Sequence, residues 1–388
     1  MALLLAVLLQ VQEEPGARLL HGGWKAVDEL AGTPAAKPRL EELAKGADAE
    51  LAWWAGAALA ELDARVNLGG VAPLRVSVEA RERPASEVLG EVLARAGLAL
   101  SAPAEGDSLI TLSLRDVPCL QAIDEVCRRG NFTLASRPFG PLDLIPGDKV
   151  RGPRSYRGSF SAGIGSLVER SDVTFREPPR SSLSMELVLR SDPSVRVLDL
   201  EPACELVEAA DDTGRSLLRP DGRRPAARFR GGRDPGVVVD AALEAPDPKA
   251  RTLARVRGRF TVSLARREET IVFDRVLAGG RQEKGSGPVS AVLGACVREG
   301  EEYRVDLEMS SREKILWPET DGLSLEDAQG RPLSRWGSSS SASGLRATYR
   351  VSFRSRGAAV EPERLRVRVV TSVFPREVPF ELTEVPLR

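Results

Sequence analysis

The chain has 388 residues, 42% of them hydrophobic, which is more than one ordinary core needs and fits roughly two to four domains. With 55 basic against 56 acidic residues its net charge is -1, so the molecule as a whole generates no field that would gather nucleic acid or an anionic membrane. The single histidine, His21, lies ahead of the first predicted helix, which excludes an imidazole-rich metal site and leaves a Ser-His-Asp relay without a well-placed base.

In chain order, Leu3 to Leu9 is an apolar run of the length of a signal-peptide core, far short of the ~20 residues that span a bilayer. Gln10-Val11-Gln12-Glu13-Glu14 then turns polar. Export is expected, with residues 1–18 as the signal peptide and no transmembrane span after its removal. Residues 19–68 read as helical: Trp24 to Leu30, then Leu40 onward, broken at Gly32-Thr33-Pro34 and at Lys45-Gly46-Ala47-Asp48. In the last helix Leu51, Ala55, Ala58, Leu59 and Leu62 form one stripe with Trp54 on its flank. The opposite face holds Ala49, Trp53, Gly56 and Ala60, so the helix is expected to be packed on both sides. The segment resembles one HEAT-type helical repeat.

Residues 69–138 alternate between strand and helix patterns. Leu74 to Ala80 has period two, and Pro84 opens a helix with Val88, Leu89, Val92, Leu93 and Ala96 on one face, closed by Gly97. Leu98 to Ser101 and Leu109 to Leu114 read as strands. Asp116-Val117-Pro118 starts a second helix striped by Leu120, Ile123, Val126 and Cys127, and Phe132 to Ser136 is a last strand. The order is βαββαβ. Val76-Ser77-Val78 with Val88-Leu89, followed by Leu112-Ser113-Leu114-Arg115-Asp116-Val117-Pro118-Cys119-Leu120-Gln121-Ala122-Ile123, resembles the short N-terminal domain of secretins and TonB-dependent receptors. Cys119 and Leu120 stand where that family has a leucine and an acidic residue, and Asp116 replaces a common asparagine. The resemblance implies an extracytoplasmic module that docks other proteins and carries no catalytic residue. No series of amphipathic barrel strands follows, so neither a pore nor a receptor barrel is expected.

Residues 139–154, rich in Pro, Gly and Asp, read as a linker. The remainder is strand after strand. A first set comprises 160–167, 183–189, 195–200, 237–243, 259–264 and 270–276, and a second 289–297, 303–309, 348–353, 365–370 and 378–382. Asp211-Asp212-Thr213-Gly214-Arg215-Ser216-Leu217 recurs as Asp327-Ala328-Gln329-Gly330-Arg331-Pro332-Leu333. Ile271-Val272-Phe273 before Val276-Leu277 is echoed by Val378-Pro379-Phe380 before Val385-Pro386-Leu387. The fold class is therefore multidomain and mainly β: a helical segment, a small α+β module, then tandem β-sandwiches at 155–280 and 281–388. One larger β domain interrupted at Gly279 to Gly287 is the alternative.

Little in the chain points to a reaction. No Walker loop or dinucleotide fingerprint is present, and Gly163-Ile164-Gly165 sits inside a strand pattern. Asp211, Asp212, Glu326 and Asp327 are the nearest candidates for carboxylate or calcium chemistry, and all four read more simply as turn formers. Cys119, Cys127, Cys204 and Cys296 have no metal spacing and read as small buried residues. Arg219, Arg223, Arg224, Arg228 and Arg230 make an arginine-rich loop able to hold anions. Arg364, Arg366 and Arg368 alternate with Leu365, Val367 and Val369 as the wet face of a strand. Trp53, Trp317 and Trp336 are the candidate interface anchors. No catalytic residue, cofactor or metal is expected. The expected function is a non-enzymatic scaffold or adapter of the bacterial envelope, periplasmic or envelope-associated, whose partners are envelope proteins. It would dock partner strands or loops along a sheet edge, and no nucleic acid is expected. The alternative is a carbohydrate- or anionic-polymer-binding protein, or a hydrolase using loop carboxylates.

Overall fold

A computed structural model describes residues 15–67, 74–98, 100, 107–136, 142–147, 152–174, 177–192, 195, 197–219, 226–230, 236–278, 280–312, 322–354 and 360–387. The signal-like run, Trp317, Arg223 and Arg224 lie outside them. Among the described residues strand makes up 58% and helix 22%, arranged as five sheets with few helices, so the chain is mainly β as its patterning indicates. It forms two compact units, residues 1–263 with 375–388, and residues 264–374.

The first unit opens with helices α1 (Pro15–Ala31), α2 (Lys37–Leu43) and α3 (Ala49–Asn67). Asp48 accepts a hydrogen bond from the Leu51 N–H at 3.0 Å and so caps α3. Leu19, Val27 and Leu30 of α1, Leu40 of α2, and Trp54, Ala55, Ala57 and Ala58 of α3 share one core. Trp54 is thus inside the stripe, not on its flank, and meets Trp24 edge to face at 5.0 Å.

The α+β module follows as β1 (Arg75–Pro84), α4 (Ala85–Arg95), β2 (Leu109–Pro118), α5 (Cys119–Arg129), β3 (Phe132–Ser136) and β4 (Leu142–Pro146). β1 and β2 pair antiparallel, and β3 pairs with β4, a strand contributed by the stretch that composition marks as linker. Of the predicted strand 98–101, Leu100 forms a single bridge, while 99 and 101 lie outside the described residues. Both strand-to-helix steps have the same construction. Glu82 and Asp116 take left-handed backbone (φ 48° and 49°) at register shifts, and Pro84 and Pro118 then sit at the helix caps. Neither proline can cap with a side chain; at α4 the Asp107 carboxylate accepts the Ser86 N–H at 3.1 Å instead. Alternation of Val76, Val78 and Ala80 with exposed neighbours turns β1's apolar face onto Val88, Leu89, Val92, Ile123 and Val126.

The rest of the chain is β. The strands are β5 (Arg154–Arg157), β6 (Phe160–Thr174), β7 (Glu177–Ser191), β8 (Val197–Asp211), β9 (Ala226–Arg230), β10 (Gly236–Glu244), β11 (Thr252–Asp274), β12 (Gln282–Ser286), β13 (Val289–Glu299), β14 (Glu302–Ser311), β15 (Leu323–Asp327), β16 (Ser334–Ser343), β17 (Arg346–Arg354) and β18 (Pro362–Pro386). The first unit holds a five-stranded sheet of order β5-β6-β7-β10-β9, and the second holds β12-β13-β14-β17-β16. Each strand of one order has its counterpart seven strands on, so the sheets are copies in topology.

The other layer of each unit is built from the long strands. Sequence patterning breaks 259–264 from 270–276 and 365–370 from 378–382, yet each pair is one continuous strand, of 23 residues in β11 and 25 in β18. Polar stretches such as Arg266-Arg267-Glu268 interrupt the apolar rhythm without interrupting the backbone hydrogen bonding. The Leu387 N–H donates to the Arg251 carbonyl at 3.0 Å, and the Val276 N–H to the Glu363 carbonyl at 3.2 Å, so the two strands run antiparallel. Both cross between the units, at 263/264 and at 374/375. The first unit therefore contains β8, the opening half of β11 and the closing half of β18; the second contains β15, the opening half of β18 and the closing half of β11. Each repeat lends the end of its last strand to the other unit.

This exchange sets the cores. Phe260 of β11 meets Phe380 of β18 at 5.1 Å in the first unit. In the second, Ile271 and Phe273 of β11 pack with Val305, Leu325, Tyr349, Phe353, Leu365 and Val367. One core drawn from both layers makes the unit sandwich-like. The repeat aligns through Arg275 and Glu384, the only two residues of these strands' ends with left-handed backbone among the described residues (φ 52° and 54°). Phe273 then matches Leu382, and the triplet echo seen in the sequence lies two residues out of step with the structural one.

Candidate docking surfaces

The Asp-x-x-Gly repeat folds into two matching turns. In the first unit the Gly214 N–H donates to the Asp211 carbonyl at 3.0 Å, and the Leu217 N–H to the Ala209 carbonyl at 2.7 Å. In the second, Gly330 donates to Asp327 at 3.0 Å and Leu333 to Leu325 at 2.8 Å. Both glycines need positive φ, 86° and 78°, which glycine adopts freely. Asp211 Oδ1 accepts N–H groups from Thr213 and Arg215, each at 3.0 Å; Asp327 Oδ1 accepts from Gln329 at 2.9 Å and Arg331 at 2.8 Å. Burial pushes each carboxyl up, and the hydrogen bonds outweigh it to hold each below the usual range. These acids are occupied in making turns. Asp212 accepts the Arg251 N–H, and Glu326 lies 3.5 Å from Arg366. Among the described residues no group of three His, Cys, Asp or Glu is placed to hold a metal ion.

All four cysteines are unbridged thiols. Burial pushes Cys119 and Cys204 up to about 12 and Cys296 up to about 11, so none of these three is a ready nucleophile.

Charge in the first unit is concentrated where α3 meets the strands. Arg257 of β11 donates to Glu50 Oε1 at 2.8 Å and to Glu381 Oε1 at 3.0 Å, with its side chain only 4% exposed. The indole N–H of Trp54 also donates to Glu50, at 2.8 Å, and Arg257 stands 5.4 Å from that ring. The Arg257 hydrogen bond pulls Glu50 down to about 2, against the cost of burying it. Arg376 of β18 donates to the Ala60 carbonyl and, at 2.6 Å, to Glu61. On β5, Arg157 stacks on Trp24 at 3.1 Å, and burial lowers it to about 10. The face of α3 that binds strands is therefore Glu50, Trp54 and Glu61. The wheel points instead to the small residues opposite the stripe, and Arg257, flanked by Arg255 and Arg259, reads locally as a wet strand face. Nothing short of tertiary pairing distinguishes it.

The sequence-predicted anchors separate. Trp53 is half-buried against the helical core, with its indole N–H buried and unpartnered. Trp336 is 65% exposed at a register shift of β16, with the Arg354 guanidinium over its ring at 4.3 Å. Trp317 lies outside the described residues. In the arginine set, Arg219 is exposed, Arg228 and Arg230 fall on the short strand β9, and Arg223 and Arg224 lie outside the described residues.

Among the described residues β16 is an edge strand of ten residues, paired only with β17. Residues 338–343, five serines and an alanine, are exposed. No helix among the described residues is long and apolar enough to cross a membrane.

No family model matches the chain. No curated protein matches it either. Among solved structures, one described as the crystal structure of the conserved domain protein from Bacillus anthracis is similar over 61% of this chain and 92% of that one, at 10% identity and a TM-score of 0.18.

Proposed function

We propose that this protein is a non-enzymatic, extracytoplasmic scaffold or adapter that docks an extended segment of a partner protein along β16. The observation that carries the reading is the open edge. An edge strand presents alternate N–H and C=O groups outward, and proteins that do not use them block them with Pro, Lys or a short strand. β16 has none of these over its ten residues. Its small exposed side chains let a second backbone approach to pairing distance, about 4.8 Å. Trp336 lies at the start of that edge, where burying one indole can supply about 2 kcal/mol or more of binding. The small α+β module would act as a second docking element, in keeping with its resemblance to secretin and TonB-receptor N-terminal domains.

The test is a photo-crosslinking residue at Ser340 in the full-length protein, expressed in its native cell. A crosslink to one envelope protein is expected. It should vanish when Ser338 or Ser339 is changed to Pro, whichever carries the outward N–H, while the fold is retained. Crosslinks confined to polysaccharide, or recovery of the protein in the cytoplasmic fraction, would overturn the proposal.

A further inference from the structure

The two long strands carry one charge motif twice. Arg257-x-Arg259-x-x-x-Ser263-x-x-x-Arg267-Glu268 in β11 recurs residue for residue as Arg366-x-Arg368-x-x-x-Ser372-x-x-x-Arg376-Glu377 in β18. Because the strands exchange between units, each unit receives the front of one motif and the back of the other. In the first unit this brings together Arg257 and Arg376, and α3 lies across them. Glu50 and Glu61 are eleven residues apart, three turns of helix and about 16 Å. Arg257 faces Glu381, five residues along β18 from Arg376, which is about 17 Å of strand. The two spacings match, so one acidic helix satisfies both arginines.

In the second unit the same motif brings together Arg366 and Arg267, at the equivalent spacing. Here no helix is present among the described residues, and the side chains are 52% and 73% exposed, against 4% for each counterpart. The strand acids differ as well: Val272 occupies the position of Glu381, and the acids within reach are local ones, Glu326 at 3.5 Å from Arg366 and Glu269 at 2.8 Å from Arg267. We infer that this face of the second unit is a docking site for an acidic helix of another protein, held as α3 is held in the first unit. The helix would carry two carboxylates eleven residues apart on one face, as Glu50 and Glu61 are placed on α3. The inference is independent of the β16 edge, so either can fail alone.

A stapled helical peptide of residues 49–67 supplies the required chemistry and can be titrated into the full-length protein by fluorescence anisotropy. One-to-one binding is expected. It should weaken by about tenfold or more with the pair Arg267→Glu and Arg366→Glu, and equally when both peptide glutamates become glutamine. Arg219→Glu should leave it unchanged. Circular dichroism and the denaturation midpoint of the double variant should match the parent, because both arginines are exposed. Absence of binding, or binding indifferent to the double substitution, would overturn the inference. So would binding that releases the protein's own α3, read as faster hydrogen exchange over residues 49–67. A concentration-dependent dimer abolished by the same substitutions would assign the face to a second copy and also overturn it.

Discussion

The first and second units share a strand order, a turn and a charge motif, but differ in what covers them. In the first, the arginines of the long strands are sealed under α3, and the sheet edge is β9, five residues long and rich in arginine. In the second, the matching arginines are exposed, and the edge is β16, twice as long and mostly serine. Duplicating a fold duplicates its binding surfaces, and a chain needs to fill only one copy with its own helices. The first unit uses its surface for internal structure; in the second no helix among the described residues lies on the equivalent arginines.

The strand exchange offers the most forceful way to break this comparison. Deleting 375–388 removes Val378, Phe380, Leu382 and Val385, each worth about 1.5–3 kcal/mol when buried, from a unit whose total stability is on the order of 10 kcal/mol. Hydrogen exchange should show β8, residues 252–263 and α3 losing protection while β13, β14 and β17 keep theirs. Loss confined to residues 281–374 would mean that the repeats do not exchange strands.

Single substitutions sharpen it. Arg257→Ala removes the nearest cation from both Glu50 and Glu381 and should cost about 3 kcal/mol, whereas Arg366→Ala should stay within about 0.5 kcal/mol by urea denaturation. Equal effects would remove the distinction between covered and open faces. Asp211→Ala should cost about 2 kcal/mol through the N–H groups it strands in the turn, and Asp327→Ala should act in the same direction.

Acid should separate the units more mildly. Glu50 falls from 4.5 to about 2 on folding, so its contribution is complete above pH 4.5 and drains away as pH drops toward 2. Glu50→Gln should flatten the acid transition of the helical segment and leave that of β13 and β14 unchanged, followed by exchange mass spectrometry across that range. Smallest of all, Trp336→Ala should change the unfolding free energy by no more than about 0.5 kcal/mol, because the indole is mostly in water.

Local pattern located most elements. Period-two alternation found β1, short apolar runs between Gly, Pro and Asp turns found β10, β13, β14 and β17, and the stripe of Val88, Leu89, Val92 and Leu93 found α4, because buried faces write their pattern into the chain. The Asp-x-x-Gly turns were legible for the same reason: carboxylate, glycine and turn lie within five residues. β4 was hidden by Pro and Gly around a short Leu-x-Leu. β11 and β18 each read as two strands, since an element that passes from one core to another loses its apolar rhythm at the crossing. Trp336 lies at the surface, whereas Trp53 is half-buried because its helix packs as a bundle.

By itself, then, the sequence determined the mainly β class, the existence of a repeat and the turns that punctuate it, all properties of short windows. Tertiary structure alone decided which half-strand belongs to which unit, and hence that Arg257 and Arg376 meet one helix while Arg366 and Arg267 meet none among the described residues. An arginine on an alternating strand looks the same whether water or a glutamate a hundred or more residues away will face it. Only the long-range pairing of strands and helix supplies the partner that buries one copy and leaves the other open.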